Sequence, residues 1–233
     1  MSKLNKEHWL EQIRTNTSWL AYRDVEGVPL NSADFIGVDL CDIDLTGAVI
    51  GDAPLFGAKL DRSILRNVVL AEANLGEASL LNAVLAGAQL TKTIFDSANL
   101  TAATLAGAYA VRASFFEAIL DSANLQEADL VAALFHSASL RQTSFDRADL
   151  QGASFQSAVL EGTSFVGANL VGALMSDAQL DRVNFTGARL TRKVLQGTHG
   201  LQRIHADYVI SVDTGQEVRL AGVVLQAWLA DME

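Results

Sequence analysis

The sequence of 233 residues is poor in cysteine, proline, aromatic residues and bases. Its single cysteine, Cys41, excludes an intramolecular disulfide and a zinc site built from several thiolates. Lys and Arg number 17 against 27 Asp and Glu, and the net charge of −10 disfavours direct binding of nucleic-acid phosphates. The apolar runs are too short to span a membrane, and the N-terminus lacks the apolar core of a signal peptide. We therefore expect a soluble, cytoplasmic protein that binds neither nucleic acid nor membranes.

Residue types that carry catalysis or bind metals are scattered along the chain. The four histidines, His8, His136, His199 and His205, show no metal-ligand spacing. There is no phosphate-binding loop, no glycine-rich dinucleotide fingerprint and no nucleophile elbow. We therefore predict that the protein is not an enzyme and has no cofactor and no metal site.

What the sequence does contain is a repeat of five residues. Every fifth residue from Phe35 to Leu190 is large and apolar except Ala110, and 21 of these 32 positions are Leu and 8 are Phe. The residue two places earlier is small, and 24 of those 32 are Ala. A period of five fits neither a helix nor a strand, so the chain must turn a corner once per repeat with both residues inward. Glycine at the last repeat position, as in Gly107, marks a corner that favours positive φ.

The repeat resembles that of the pentapeptide-repeat proteins, whose consensus is A(D/N)LXX. The consensus stands here at Ala73-Asn74-Leu75, Ala98-Asn99-Leu100, Ala123-Asn124-Leu125, Ala128-Asp129-Leu130, Ala148-Asp149-Leu150 and Ala168-Asn169-Leu170. The resemblance covers residues 33–192 and implies an all-β fold, a right-handed quadrilateral β-solenoid with four repeats per coil and about eight coils. The lead-in Trp19-Leu20-Ala21-Tyr22-Arg23 resembles that of bacterial members.

Four repeats per coil would place residues twenty apart on the same side of the solenoid. Phenylalanine then falls on two opposite sides only. One side holds Phe35, Phe95, Phe115, Phe135 and Phe155, and the other holds Phe145, Phe165 and Phe185. We expect each set to stack as a ladder in the core, opposed by alanine across the narrow interior.

Open solenoid ends expose strand edges, so we expect a cap at each end. Residues 1–32 are predicted to form an N-terminal helical cap. Residues 193–233 are predicted to form a C-terminal cap with a strand at 208–212, a turn at 213–216 and a final helix. The apolar face of that helix would comprise Ala221, Val224, Leu225, Trp228 and Leu229. Alternatively, Trp228 and Leu229 make a homodimer contact, since C-terminal elements pair two chains in the related quinolone-resistance proteins.

One side of the predicted solenoid differs from the others in charge and hydrophobicity. It consists of the outward residues 34, 36 and 37 and every twentieth residue after each, and we call it the Phe35 face. It carries acids, has no Lys or Arg, and has the most apolar outward residues. We predict that this face binds a protein partner. The predicted contact residues are Asp34, Ile36, Phe56, Glu77, Ile94, Asp96, Phe116, Glu117, Leu134, Leu174 and Asp177.

Two functions fit these features. The first is a non-enzymatic scaffold, a rigid solenoid that presents the acidic and apolar face to a protein partner. The second is a DNA mimic that binds DNA gyrase or another type II topoisomerase and protects it from quinolone-like inhibitors, as the resemblance implies for some members. The array lacks the loop insertions that the quinolone-resistance proteins use for this protection. Salt dependence separates the two hypotheses, because binding through mimicry of DNA should weaken steeply with ionic strength.

Overall fold

The computed structural model describes residues 34–213 and 215–231, and in this part of the chain the repeats form a β-solenoid. The residue before each large inward residue makes a parallel bridge to the residue twenty positions later, from Asp39↔Lys59 through Asn169↔Arg189. Twenty residues, or four repeats, therefore complete one coil. The predicted N-terminal cap, residues 1–32, lies outside the described residues.

Each repeat turns a corner through a tight hydrogen-bonded turn. The N–H of Val38 donates to the carbonyl of Phe35 at 3.0 Å, and equivalent bonds recur along the array. In every repeat from Gly37 to Gly187 the last residue has a φ between 53° and 74°, which confirms the predicted corner. Glycine occupies only ten of these 31 positions, so side chains such as that of Ala102 hold the left-handed conformation elsewhere.

The second repeat position is often Asp or Asn because one backbone N–H of each repeat lies outside the ladder. In the ladder the N–H of Leu40 donates to Lys59 O at 2.7 Å. The N–H of the residue that follows each large residue has no acceptor in the ladder. The side chain of Asn74 accepts such an N–H, that of Gly76, at 2.9 Å. This local turn gives the consensus Asp or Asn a structural role.

At four repeats where serine takes the second position, an aspartate of the preceding coil supplies the missing acceptor. Asp121 accepts from Ser139 Oγ at 2.6 Å and from the N–H of Arg141 at 3.0 Å. The same arrangement recurs where an aspartate precedes a serine by eighteen residues, at Asp61 with Ser79, Asp96 with Ser114 and Asp146 with Ser164. These bonds tie consecutive coils together through side chains.

The large and small residues of the repeats fill the interior as predicted, and they are buried throughout. The rings of Phe95, Phe115, Phe135 and Phe155 stack at 4.8–5.0 Å between centroids. The second ladder stacks at 5.2–5.3 Å. Alanine does not separate the two ladders: the Phe145 ring meets Phe135 and Phe155 edge-on at 5.4 and 5.7 Å. The expectation of opposing alanine was wrong here, because two phenylalanine edges together span the interior.

After the repeats the chain forms a cap from short elements. They are β1 (Arg189–Leu190), α1 (Arg192–Leu195), a 3-10 helix (Leu201–Arg203), β2 (Tyr208–Ser211), β3 (Val218–Ala221) and α2 (Gly222–Ala230). The sheet order is β1-β2-β3. β2 pairs in parallel with β1, as a further coil would, and β3 then pairs antiparallel to β2 and ends the stack.

The helix α2 covers the end of the core with one side. Leu225 and Trp228 are buried and Leu229 packs against them, whereas Val224 is exposed, so its predicted inward position was wrong. The Trp228 Nε1–H donates to Asp213 Oδ2 at 3.2 Å, and the ring is 6% exposed. Trp228 therefore serves the cap and offers almost no surface to a second copy, and the homodimer stays a prediction.

Candidate functional site

The Phe35 face carries a row of apolar side chains at regular spacing. Parallel bridges link Ile94, Ser114, Leu134, Ser154 and Leu174 in consecutive coils, so large residues alternate with serines. Coils in a ladder lie about 4.8 Å apart, which sets the large side chains about 9.6 Å apart. Ile94, Leu134 and Leu174 are 37%, 46% and 41% exposed, and we call them the apolar row. The serines between them are buried or half-buried, so the row is a line of three projecting apolar side chains with smaller residues between them.

Beside the apolar row lies a pair of stacked rings. The Phe116 ring packs parallel to the His136 ring of the next coil, with centroids 5.6 Å apart. Phe116 is exposed, as predicted. His136 was not predicted as part of this face, although its position twenty residues after Phe116 places it there. The pair widens the apolar surface toward the middle of the face.

The five predicted acids of this face divide into two groups. Asp34 and Asp96 accept backbone N–H groups, so their carboxylates serve the fold. Glu77, Glu117 and Asp177 stand at corner positions and are exposed. Within residues 34–213 and 215–231 their carboxylates make no hydrogen bond and no ion pair. We call these three the free acids.

Ile36 and Phe56 extend the Phe35 face toward the first coils, and both are exposed. The Phe56 ring lies over Gly76, where an added Cβ would stand 3.2 Å from Phe56 Cδ2. Because Gly76 has no side chain, the Phe56 ring can pack directly over its backbone. These two residues lie apart from the apolar row, because Asn74 and Gly76 separate them from Ile94 and Phe116.

Several acids on the other faces pair with bases one coil away. Examples are Asp42 with Arg62 at 2.6 Å, Glu72 with Lys92 at 2.7 Å and Glu127 with Arg147 at 2.9 Å. The Arg62 guanidinium donates to Asp42 and holds the pKa of that carboxyl below its ordinary value. The Phe35 face has no such base, so its negative charge is uncompensated.

The surroundings of Cys41 and His199 do not form a catalytic arrangement. Burial, followed by a hydrogen bond with Asp39, raises the pKa of the Cys41 thiol, so the protonated form is favoured over the nucleophilic thiolate. His199 lines an open surface depression with Asp181 and Arg203, which form an ion pair at 3.1 Å. Among the residues that the structure describes, no group of His, Cys, Asp and Glu is placed to hold a metal ion. None of the helices in that part of the chain is long and apolar enough to cross a membrane.

Exposed apolar residues outside the Phe35 face were missed by the sequence analysis. On the solenoid they are Val49, Ile64, Tyr109 and Ile119, and in the cap they are Val218, Val223 and Val224. The four on the solenoid are spread over three faces. Naming the outward apolar residues of each face in turn would have identified them from the sequence. Val218 and Val223 gave no signal, because the repeat register is lost in the cap, and Val224 was predicted to face inward.

The comparisons with known proteins agree with this architecture. The family profile described as pentapeptide repeats matches eight copies within residues 63–101, 98–136, 128–165 and 153–192. The structure of HetL, a pentapeptide repeat protein of the cyanobacterium Nostoc, is similar with 25% identity and a TM-score of 0.51, covering 93% of this chain and 100% of HetL. A pentapeptide repeat protein of the Arabidopsis thaliana thylakoid lumen is 26% identical with a TM-score of 0.43, over 57% of this chain and 88% of its own.

A third similar structure is that of QnrB1, a plasmid-mediated fluoroquinolone resistance protein, which is 20% identical. The likeness has a TM-score of 0.39 and covers 72% of this chain and 79% of QnrB1. No curated protein matches the sequence. The profile match spans more than half of the residues and coincides with the bridged coils. The chain therefore belongs to the pentapeptide-repeat family.

Proposed function

We propose that this protein is a non-enzymatic scaffold that presents the Phe35 face to a protein partner. One observation carries the proposal: the face richest in exposed apolar side chains is also the face without a base. Six of the ten exposed large apolar residues on the described solenoid lie there. Apolar surface that is contiguous and rimmed by charge is typical of protein-binding sites.

The solenoid would hold this face in a fixed geometry. Each coil is joined to the next by backbone bonds near 2.7–3.0 Å, and the phenylalanine ladders fill the core beneath the face. Binding to such a surface costs little ordering entropy, which favours affinity from a modest contact area. HetL is described as involved in the regulation of heterocyst differentiation, a role that a binding protein can fill.

Site-specific photo-crosslinking tests the proposal. A benzophenone amino acid replaces Phe116 on the Phe35 face or, as control, Ile119, which is 42% exposed on the neighbouring face. Both chains are irradiated in a lysate of the source organism, and crosslinked proteins are identified by mass spectrometry. We expect a defined partner at Phe116 that is absent at Ile119 and is lost when Leu134→Ser is added. Equal capture at both positions would contradict the proposal.

The second candidate is the DNA mimic that binds gyrase, and the uncompensated acids of the Phe35 face favour it. Its charge density speaks against it, since five acids spread over about eight coils, whereas B-DNA carries about one charge per 1.7 Å. A gyrase supercoiling assay with and without a quinolone, at two salt concentrations, decides the matter. Salt-sensitive inhibition or drug protection would support mimicry. Unchanged supercoiling at micromolar protein would reject it.

A further inference from the structure

We propose that the partner segment bound by the Phe35 face is a basic amphipathic α-helix that lies along the solenoid axis. The inference rests on the proposed function and narrows it to one kind of partner. It is carried by two independent features of the face: the spacing of the apolar row and the position of the free acids.

The spacing of the apolar row matches a helix better than a strand. Ile94, Leu134 and Leu174 recur every two coils, or about 9.6 Å. Residues seven apart on one side of an α-helix are about 10.5 Å apart along its axis. Residues on one side of a strand recur about every 6.8 Å, so a strand loses register after its first contact. A helix with an apolar residue at every seventh position keeps contact along the whole row.

The row is also built to receive such a helix. Ser154 is buried between Leu134 and Leu174, and Ser114 is half-buried between Ile94 and Leu134, so the three large side chains are separated by shallow gaps. Side chains of a helix would settle in those gaps, as knobs do between the residues of a partner helix. The stacked rings of Phe116 and His136 bound one side of the row and limit how far the helix can shift across the face.

The free acids require that the helix be basic. Glu77 and Glu117 stand two coils apart in the same corner column as Asp177, and only Asp177 follows a residue of the apolar row, Leu174, by three positions. Their carboxylates have no ion pair within the described residues, so Lys or Arg of a partner could pair with them without first breaking another contact. The column of Phe116 and His136 lies between the row and the corner acids, so the bases belong on the side of the helix that faces these rings.

Charge also excludes a second copy of this chain in the same role. Two Phe35 faces would bring like charges together, because neither carries a Lys or Arg. The described C-terminal helix α2 has the sequence GVVLQAWLA and contains no base. No helix of eight or more residues in the described part of the chain is basic, and we therefore place the bound helix on a different protein.

A designed peptide tests the inference with the full-length protein. The probe is a fluorescent peptide of about 18 residues, held helical by a side-chain staple, with leucine at every seventh position, lysine on the adjacent stripe and alanine elsewhere. The register control has the same composition but leucine at every fifth position, which spirals the leucines around the helix. The charge control replaces lysine by glutamate. Fluorescence anisotropy measures binding up to about 100 µM protein.

Two pairs of protein variants locate the contact. Leu134→Ser removes the middle of the row, and Ile119→Ser makes the same change at the same repeat position on the next face. Glu117→Gln removes a free acid, and Glu127→Gln changes the net charge equally at a corner where the acid is paired with Arg147. Circular dichroism and thermal unfolding confirm that each variant is folded.

The expected result is that the seven-residue peptide binds and both control peptides bind at least about tenfold more weakly. Leu134→Ser should weaken binding about tenfold and Glu117→Gln several-fold, whereas their matched controls change it less than about twofold. Equal binding of the two lysine peptides would overturn the helix register while leaving a protein-binding face. No binding would overturn the inference, and the photo-crosslink at Phe116 would then show whether the proposed function survives without it.

Discussion

The Phe116 ring lies on the His136 ring of the next coil, with the two planes 7° apart. The contact orients the Phe116 ring, and it makes His136 a part of the surface that a partner would meet. We predict that His136→Ala weakens binding of the seven-residue peptide about twofold to tenfold, because an aromatic pair contributes about 0.5–1.5 kcal/mol. Anisotropy titration measures the change. His136→Phe is the control and should retain binding, while equal losses in both variants would contradict a stacking role.

The second prediction concerns the ladders. Phe135 contacts three aromatic rings, at Phe115, Phe155 and Phe145, whereas Phe95 stacks on Phe115 alone. Phe135→Leu should therefore lower the free energy of unfolding by about 1–3 kcal/mol more than Phe95→Leu, since both positions lose similar apolar area but different numbers of ring pairs. Urea denaturation of the two variants gives the comparison. Equal losses would mean that volume alone decides the cost.

The third prediction concerns the corners. Ala102 has a φ of 57°, so Ala102→Gly should raise the free energy of unfolding by roughly 0.5–1 kcal/mol, after the greater entropy of glycine in the unfolded chain is counted. Gly107→Ala should lower it by a similar amount, because a Cβ there meets nothing within 4 Å and only the backbone is strained. Gly200→Ala should cost more, since its Cβ would overlap the carbonyl oxygen of Leu180. Chemical denaturation ranks the three, and a stabilising Gly107→Ala would refute the argument.

The fourth prediction compares the two ways of satisfying the N–H after a large residue. Asp121→Ala removes the acceptor of Ser139 Oγ and of the Arg141 N–H in the next coil, so it should cost about 1–3 kcal/mol. Asn124→Ala removes only the bond from the N–H of Gln126, at 3.0 Å, and should cost about 1 kcal/mol. Urea denaturation measures both. The prediction fails if the local turn proves the more costly to remove.

The fifth prediction is a pH dependence at the exposed pair of Asp42 and Arg62. The guanidinium lowers the pKa of the Asp42 carboxyl in the folded chain, so the pair stabilises the fold above the ordinary aspartate pKa and stops doing so as pH falls through the lowered one. Arg62→Ala should lower Tm slightly at pH 7, and its difference from wild type should shrink below about pH 4. Lys59→Ala removes a base from the same face as control. A difference that persists unchanged into acid would exclude this pair as the cause.

Much of the fold could be predicted because each inward residue obeys a local rule. Leu at every fifth position and Ala two places earlier cannot share one side of a helix or strand, so the period alone required a corner. The cap was harder, because its helix follows β3 without an intervening residue. The direction in which β3 ends then fixes how α2 is rotated about its axis. This rotation turns Val224 outward, although Val224 fits the apolar stripe that the sequence predicts.

The residues of the candidate site could be predicted from the sequence, but not which of its acids bond within the fold and which are free. Counting outward residues by face identified the exposed row and the missing bases. It did not show that Asp96 accepts bonds from Ser114 and Phe116, because that role depends on the serine eighteen residues later. Asp61 and Ser79 are also eighteen residues apart and bond in the same way. A search of the sequence for an aspartate eighteen residues before a serine would therefore have identified acids of this structural kind.

The stacked phenylalanine rings are spread unevenly along the solenoid. Asp34, Asp39 and Asp44 each bond within their own repeat, and apart from Phe35 the core phenylalanines begin at Phe95. The later coils thus share stacked rings across their boundaries, while the earlier ones are joined by the backbone ladder and by polar pairs such as Asp61 with Ser79. The rod is therefore mechanically graded: under tension it should yield first in the coils before residue 95, and the apolar row stands on the stiffer part.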